Sequence, residues 1–270
     1  MTGVLVTLAA LCAVGAAVRS TWSPCGLSML STITPMAERS RGRRWLVTSA
    51  WFVLGSVAGG LALGLLAALG AAVVSFAAVG TSAVLVVAAV AAVAAAGADL
   101  GLVGPELPHH RRQVNEGWLD DYRGWVYGVS FGAQIGSGLA TYIMTSAVYL
   151  TLVLAALSAS VPAAVAVGVL FGLVRGLAIL LGSGLTTPER LRTFHRRFEA
   201  MRSPVRTATI VLEVLLALAA SAFLPGATAV TMVAMVVLAC AALVVLSKSS
   251  TRAVAGAESP DAAPVPQHST

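Results

Sequence analysis

The chain has 270 residues, 58% of them hydrophobic and 10% charged, and a mean hydropathy of +0.89; no soluble domain carries that composition against water, so a soluble enzyme is excluded and an integral membrane protein is indicated. Few aromatics (6%) and 26 glycines suit closely packed transmembrane helices, and the lack of alternating segments of about ten residues excludes an outer-membrane barrel. Lys248 is the single lysine, so arginine supplies 16 of the 17 basic residues; the net charge of +6 is a topology signal, not a nucleic-acid footprint.

A helix needs about 20 apolar residues to cross a hydrocarbon core of about 30 Å, and the charge-free runs divide the chain on that scale. Val4 to Val18 is apolar, Arg19 to Pro24 interrupts, and a weaker apolar piece runs from Cys25 to Met36; these form one broken helix. Met1 to Leu8 has no basic residue, and Leu11 stands where a lipoprotein site needs a small residue before its cysteine, so this segment is expected to be retained. Residues 45 to 98 lack Asp, Glu, Lys, Arg and His, enough for helices 2 and 3 with a hinge near Gly80, Thr81 and Ser82. After a polar loop (99 to 125), an uncharged run from 126 continues past Arg175 to about Leu185, giving helices 4 and 5 with a turn at Ser158, Ser160 and Pro162. Residues 207 to 247 carry one charge, Glu213, and Pro225-Gly226 splits them into helices 6 and 7. The tail, 248 to 270, is rich in Ala, Pro and Ser and is expected to be disordered.

The loop charges orient these seven helices independently of hydropathy. Arg39, Arg41, Arg43 and Arg44 follow helix 1; Arg111, Arg112 and Arg123 follow helix 3; Arg190, Arg192, Arg196, Arg197, Arg202 and Arg206 follow helix 5; Lys248 and Arg252 follow helix 7. The loops near 71 to 80, 148 to 161 and 225 to 226 contain no Lys or Arg. The expectation is a plasma-membrane protein with its N-terminus outside and its C-terminus in the cytoplasm. Helices 1 and 4 then run in opposite senses. Sliding one on the other by 109 residues puts Trp22 on Phe131, Cys25 on Gln134, Leu30 on Leu139 and Thr32 on Thr141. The resulting fold class is all-α, with a three-plus-three inverted-topology repeat (1 to 98 and 126 to 225) and one further helix, 226 to 247.

The segment Trp22-Ser23-Pro24-Cys25-Gly26 resembles the Ser-Pro-Cys start of the CcdA and DsbD transmembrane family, and Trp51-Phe52-Val53-Leu54-Gly55 is similar to that family's Phe-Val-Leu-Gly segment. The resemblance covers about residues 1 to 225. It implies a bacterial membrane protein of cytochrome c biogenesis that passes thiol reducing equivalents to a thioredoxin-like partner. Two departures stand beside it: Ser28 and Ser31 follow the cysteine where the family has early prolines, and Gln134, in Gly132-Ala133-Gln134-Ile135-Gly136, stands where the family has its second intramembrane cysteine. The wider LysE-like superfamily with the same layout contains exporters of amino acids and metal ions, which keeps small-solute or ion transport as the alternative. A scaffold that keeps the fold without the chemistry is a third.

Candidate residues follow from both lines. Pro24 removes a backbone donor, and Ser20, Thr21 and Ser23 can partner the groups it frees. A cysteine directly after that break, at the amide end of a half-helix, is suited to redox chemistry; the competing reading is a structural cysteine beside a proline kink. Cys12 is about 20 Å along the helix from Cys25, too far to pair with it, whereas Cys240 is a conceivable partner. Gln134, Ser137, Thr141 and Tyr142 could line a substrate cavity, or the flanking Gly132, Gly136 and Gly138 could simply serve helix packing. Arg175 and Glu213, at about 13 and 9 Å from the cytoplasmic interface at ~1.5 Å per residue, are expected to pair or to share a watery cavity. His109 and His110 are read as a solvated loop, so no metal is assigned. Trp118, Tyr122, Trp125 and Tyr127 are read as interfacial anchors. No nucleotide, zinc-protease or haem-attachment motif occurs, so no cofactor is expected.

Overall fold

The computed structural model describes residues 2–102, 123–141, 143–226, 228–231 and 233–238. His109, His110, Trp118, Tyr122, Tyr142, Cys240 and the 248–270 tail lie outside the described residues. All regular structure among the described residues is helical: α1 (Thr2–Ser20), α2 (Pro24–Thr32), α3 (Pro35–Ser40), α4 (Trp45–Phe76), α5 (Thr81–Asp99), α6 (Gly124–Gly136), α7 (Ala147–Leu157), α8 (Val161–Leu177) with a 3-10 turn at Ala178–Gly182, α9 (Pro188–Ala200), α10 (Arg202–Ala222) and α11 (Thr228–Leu238). Five stretches are long and apolar enough to cross a membrane: Thr2–Ser20, Trp45–Phe76, Thr81–Asp99, Val161–Gly182 and Pro188–Ala222. Leu65, Leu69, Val73 and Phe76 of α4, Val87 and Val90 of α5, and Val211 and Leu215 of α10 all point outward, a surface that suits lipid and not water. The chain is an all-α, membrane-embedded protein.

Helix α4 is the centre of the bundle, packed by α6, α7 and α8. Lipid offers no hydrophobic drive for helix association, so close backbone approach has to supply the contacts, and two glycine rows on α4 provide it. A methyl group added at Gly55 or Gly59 would lie 2.2 Å from the carbonyl oxygens of Val129 and Ala133 on α6. One at Gly60 would lie 2.4 Å from the Gly168 oxygen on α8. The partners answer in kind, with Gly132, Gly136 and Gly172 set against the backbone of Phe52 and Ser56. Ser56 then donates its hydroxyl to the Gly172 oxygen at 2.7 Å. Gly132 and Gly136 therefore serve helix packing.

Around this centre α1 packs on α7, α8 and α10, and α5 packs on α7 and α10. The two ends of the bundle differ in chemistry. Thr2, Ala78, Thr81 and Ser158 line one pocket at the end without arginines. At the other end Arg43 approaches Gly124, Trp22 stacks on Phe198, and Arg206 bonds the Asp99 carbonyl.

The structure adds to or departs from the sequence reading at four places. Helix 4 is not continuous: α6 stops at Gly136 and α7 starts at Ala147, with Gly138 between them at φ +68°, a conformation glycine adopts at little cost. The 109-residue offset carries the break at 21–23 onto residues 130–132, which are helical, so the breaks of helices 1 and 4 are out of register in that alignment. The 184–206 segment is not a plain loop, because it contains α9, begun by Thr187, whose hydroxyl accepts the Arg190 N–H. Tyr127 is no interfacial anchor: it is 1% exposed, tilted on Phe131 with ring centres 5.4 Å apart.

Candidate functional site

The segment before Cys25 unwinds through tightening turns. The amides of Thr21, Trp22 and Ser23 each bond the carbonyl three residues back, at 3.0, 3.2 and 3.1 Å. Pro24 follows with no N–H to continue the ladder, and α2 starts there. Ser23 is the cap: extended at φ −69°, ψ 157°, it accepts the Gly26 N–H at 3.1 Å. Gly26 is required on steric grounds, since a methyl group there would fall 2.2 Å from the Thr21 oxygen. The turn thus folds back over Thr21 and leaves Cys25 in the first turn of α2, 2% exposed.

What surrounds that sulfur is aromatic and aliphatic, with one charge. Met29, Leu30, Phe52, Phe131, Ile135 and Ile179 form the same buried cluster as Cys25. Arg175 of α8, one turn before Ile179, is 2% exposed and interacts electrostatically with Cys25. Its guanidinium carbon lies 5.9 Å from the Phe171 ring centre, a cation–π contact. Nε and Nη2 have no hydrogen-bond partner, and among the described residues no carboxylate pairs with it. Trp22 closes the site: its ring stacks on Phe198 of α9 at 4.4 Å with planes 4° apart, and its indole N–H donates to the Phe198 oxygen at 2.7 Å. Ser31 of α2 also meets His195 Nε2 at 3.0 Å.

A second polar group lies between α1, α5, α7 and α10. The Asp99 carboxylate accepts the Ser146 N–H at 2.7 Å, the Ser146 hydroxyl at 2.6 Å and the Thr145 hydroxyl. Arg206 donates to the Asp99 backbone oxygen through Nε at 3.1 Å and Nη2 at 2.7 Å. Arg19 belongs here, interacting electrostatically with Asp99, Arg206 and Arg202. Its Nε and Nη1 are buried without a partner. Cys12 packs on α7, with its Sγ 3.5 Å from the Ala147 oxygen and 3.4 Å from the Thr151 hydroxyl. Glu213 is fully buried, neither of its oxygens has a partner, and it interacts electrostatically with Asp99.

The structure therefore separates residues that the sequence invited one to join. Arg175 and Glu213 form no ion pair: both Glu213 oxygens and the Arg175 Nε and Nη2 are buried without partners. Cys12 and Cys25 are both thiols in different buried clusters. The Ser137 hydroxyl donates to the Gln134 oxygen at 2.8 Å and accepts the Ala140 N–H at 3.2 Å, so it finishes α6 locally. Gln134 is half-buried beside Ile135. Thr141 is fully buried with its hydroxyl unpartnered, on the unwound stretch. Asp99, Thr145, Ser146 and Phe198 were missed. Asp99 had a signal, as the acid that ends a long charge-free run; Phe198 had only its place on an amphipathic arginine-rich segment.

No protein-family model, curated protein or solved structure matches the chain. Function therefore has to be argued from the site itself.

Proposed function

We propose that the protein is a bacterial plasma-membrane carrier of thiol reducing equivalents, similar to the CcdA and DsbD transmembrane family, with Cys25 as its reactive sulfur. One observation carries this reading: Cys25 occupies the Ser23-capped first turn of α2, within electrostatic reach of the buried Arg175. Negative charge on the sulfur, whether it attacks or leaves, then faces a guanidinium and the amide end of a helix.

The exchange closes with one cysteine if both partners are thioredoxin-like. The Cys25 thiolate attacks the acceptor's disulfide, forming a mixed disulfide, and the acceptor's second sulfur leaves as a thiolate and takes a proton. A donor thiolate then attacks the Cys25 sulfur of that mixed disulfide and releases the acceptor as a dithiol. The donor's second thiolate finally displaces Cys25. Two electrons pass from donor dithiol to acceptor disulfide, and Cys25 is regenerated.

Seven spans in an inverted repeat form the architecture of this reading, with the N-terminus outside. Its support is the packing pattern. Exchange helix 1 (α1, α2) with helix 4 (α6, α7), helix 2 (α4) with helix 5 (α8), and helix 3 (α5) with helix 6 (α10). The pairs α1–α7, α4–α8 and α5–α10 map onto themselves, α1–α8 maps onto the α4 contacts of helix 4, and α1–α10 maps onto α5–α7. A pseudo-two-fold axis in the membrane plane produces such a pattern.

The test is capture of a mixed disulfide. In Cys12→Ser, Cys240→Ser membranes, Cys25 should trap a thioredoxin-like protein whose resolving cysteine is replaced by serine, and Cys25→Ser should abolish the adduct and extracytoplasmic thiol reduction. Adducts that persist without Cys25 sink the reading. Transport is the second reading, favoured by the buried, unpartnered Glu213 carboxylate, since ionisable groups inside a membrane commonly mark a solute or ion path. Solute flux that depends on Glu213 and not on Cys25 would select it.

A further inference from the structure

Two of the four arginines of α9, Arg190 and Arg197, have so far served only as topology signals. Its apolar side is already spent on the protein: Phe198 is buried against Trp22, and Phe194 stacks on Phe198 with ring centres 5.4 Å apart. The remaining side is free of the bundle. There Glu189, Arg190, Thr193, Phe194 and Arg197 line a shallow groove of about 330 Å³.

The depth of α9 in the membrane is fixed by what flanks it. Leu177, Leu180 and Leu181, separated from α9 by the short polar stretch 182–187, and Met201, which follows it directly, are exposed and belong against acyl chains. A helix carrying Arg190, Arg192, Arg196 and Arg197 cannot follow them into hydrocarbon. It must lie along the boundary, where phospholipid phosphates are. The groove therefore opens at headgroup height.

Its chemistry fits one headgroup atom set. Arg190 and Arg197 are two turns apart and flank Thr193, so two guanidinium forks and a hydroxyl can converge on one phosphate. Arg190 is held in place by contacts of its Nη1 with the Gly184 oxygen and the Thr186 hydroxyl, both at 3.4 Å, and its other N–H groups remain for a ligand. Glu189, on the rim, disfavours a second negative charge close by. Phe194 supplies an apolar floor for the glycerol or the upper acyl carbons.

We propose that the Arg190–Thr193–Arg197 groove binds the phosphate of an anionic phospholipid, and that the lipid thereby braces α9 against Trp22 and the turn that carries Cys25. Phosphate recognition could equally serve a soluble anion; the depth of the groove selects the lipid.

Native mass spectrometry of the full-length protein in detergent, titrated with phosphatidylglycerol or phosphatidylcholine, reads the site directly. Wild type should retain phosphatidylglycerol preferentially. At about five-fold per arginine, Arg190→Gln/Arg197→Gln should weaken retention about thirty-fold, and Arg190→Lys/Arg197→Lys should restore most of it. Arg39→Gln/Arg44→Gln, which removes the same charge from exposed positions in α3 and at the start of α4, should leave retention nearly unchanged. If the double glutamine variant does not fold, Arg197→Gln alone, at about five-fold, carries the comparison. Equal loss in the Arg39/Arg44 variant overturns the proposal in favour of a diffuse positive field. Displacement of the lipid by inorganic phosphate, or equal retention of phosphatidylcholine, overturns it as well.

Discussion

Asp99, the last residue of α5, accepts the backbone N–H of Ser146, the residue before α7, at 2.7 Å. Ser146 has helical dihedrals and no side-chain cap of its own, so a carboxylate from another helix performs the capping. The same carboxylate takes the hydroxyls of Ser146 and Thr145, and the arginine of α10 bonds its backbone oxygen. One residue thus ties α5, the start of α7 and α10 together.

Removing that carboxylate should be expensive. Asp99→Ala leaves the Ser146 N–H and two hydroxyls without their acceptor, and charge-assisted bonds of this kind are worth about 1.5–3 kcal/mol each before relaxation. We expect a loss of about 3 kcal/mol, with Asp99→Asn losing roughly half of that because its amide oxygen still accepts. Thermal unfolding in detergent checks both. Equal stability of wild type and Asp99→Ala would show that the bonds are replaced by water.

The glycine rows make a sharper stability prediction. Gly136→Ala puts a methyl group 2.0 Å from the Ser56 oxygen, and Gly172→Ala puts one 2.3 Å from the same atom; both contacts are to backbone, so α4 must move. A loss of at least about 1–3 kcal/mol is expected for each. Gly80→Ala, with nothing within 4 Å, should be neutral in the same assay. Tolerance of alanine at Gly136 would mean that α4 and α6 are not in backbone contact.

What the sequence made legible follows from the range of the forces involved. The break before Cys25 is local: Pro24 lacks its donor and Ser23 is the nearest oxygen, so both could be read from adjacent letters. The apolar spans are visible for the same reason, since hydropathy is a property of a continuous run. The break in helix 4 was invisible because Asp99, which holds it, is 47 residues away. The electrostatic coupling of Cys25 to Arg175 and the lack of an Arg175–Glu213 pair are likewise matters of helix rotation, which depth along a helix axis does not determine. Tyr127 looked like an anchor from composition alone, and its packing with Phe131 in the buried aromatic cluster decided otherwise.

Topology can be tested with cysteines at exposed positions in a Cys12→Ser, Cys25→Ser, Cys240→Ser background. Gly80→Cys, at the end without arginines, should react with an impermeant maleimide added to intact cells. Ser40→Cys and Ser183→Cys, at the arginine-rich end, should react only after the membrane is opened. The charge bias of short loops sets this orientation. Labelling of Ser183→Cys from outside would invert the protein or remove a span from the seven-helix reading.

The separation of Arg175 from Glu213 has an energetic consequence that a double-mutant cycle reads. Partners in a buried ion pair lose about 3–5 kcal/mol when either is truncated, because the other is left charged and alone, and the double variant recovers much of that loss. Groups in different clusters should add within about 0.5 kcal/mol. Arg175→Met removes a guanidinium packed near Phe171 and Cys25, while Glu213→Met replaces a carboxyl whose two oxygens bond nothing with an apolar side chain of similar volume. The second change should therefore cost little, or even stabilise the fold, if Glu213 has no structural role. Unfolding of the two single variants and the double variant in the same detergent gives the coupling energy. A coupling above about 1 kcal/mol would return the two charges to a shared site and undo the assignment of Arg175 to Cys25.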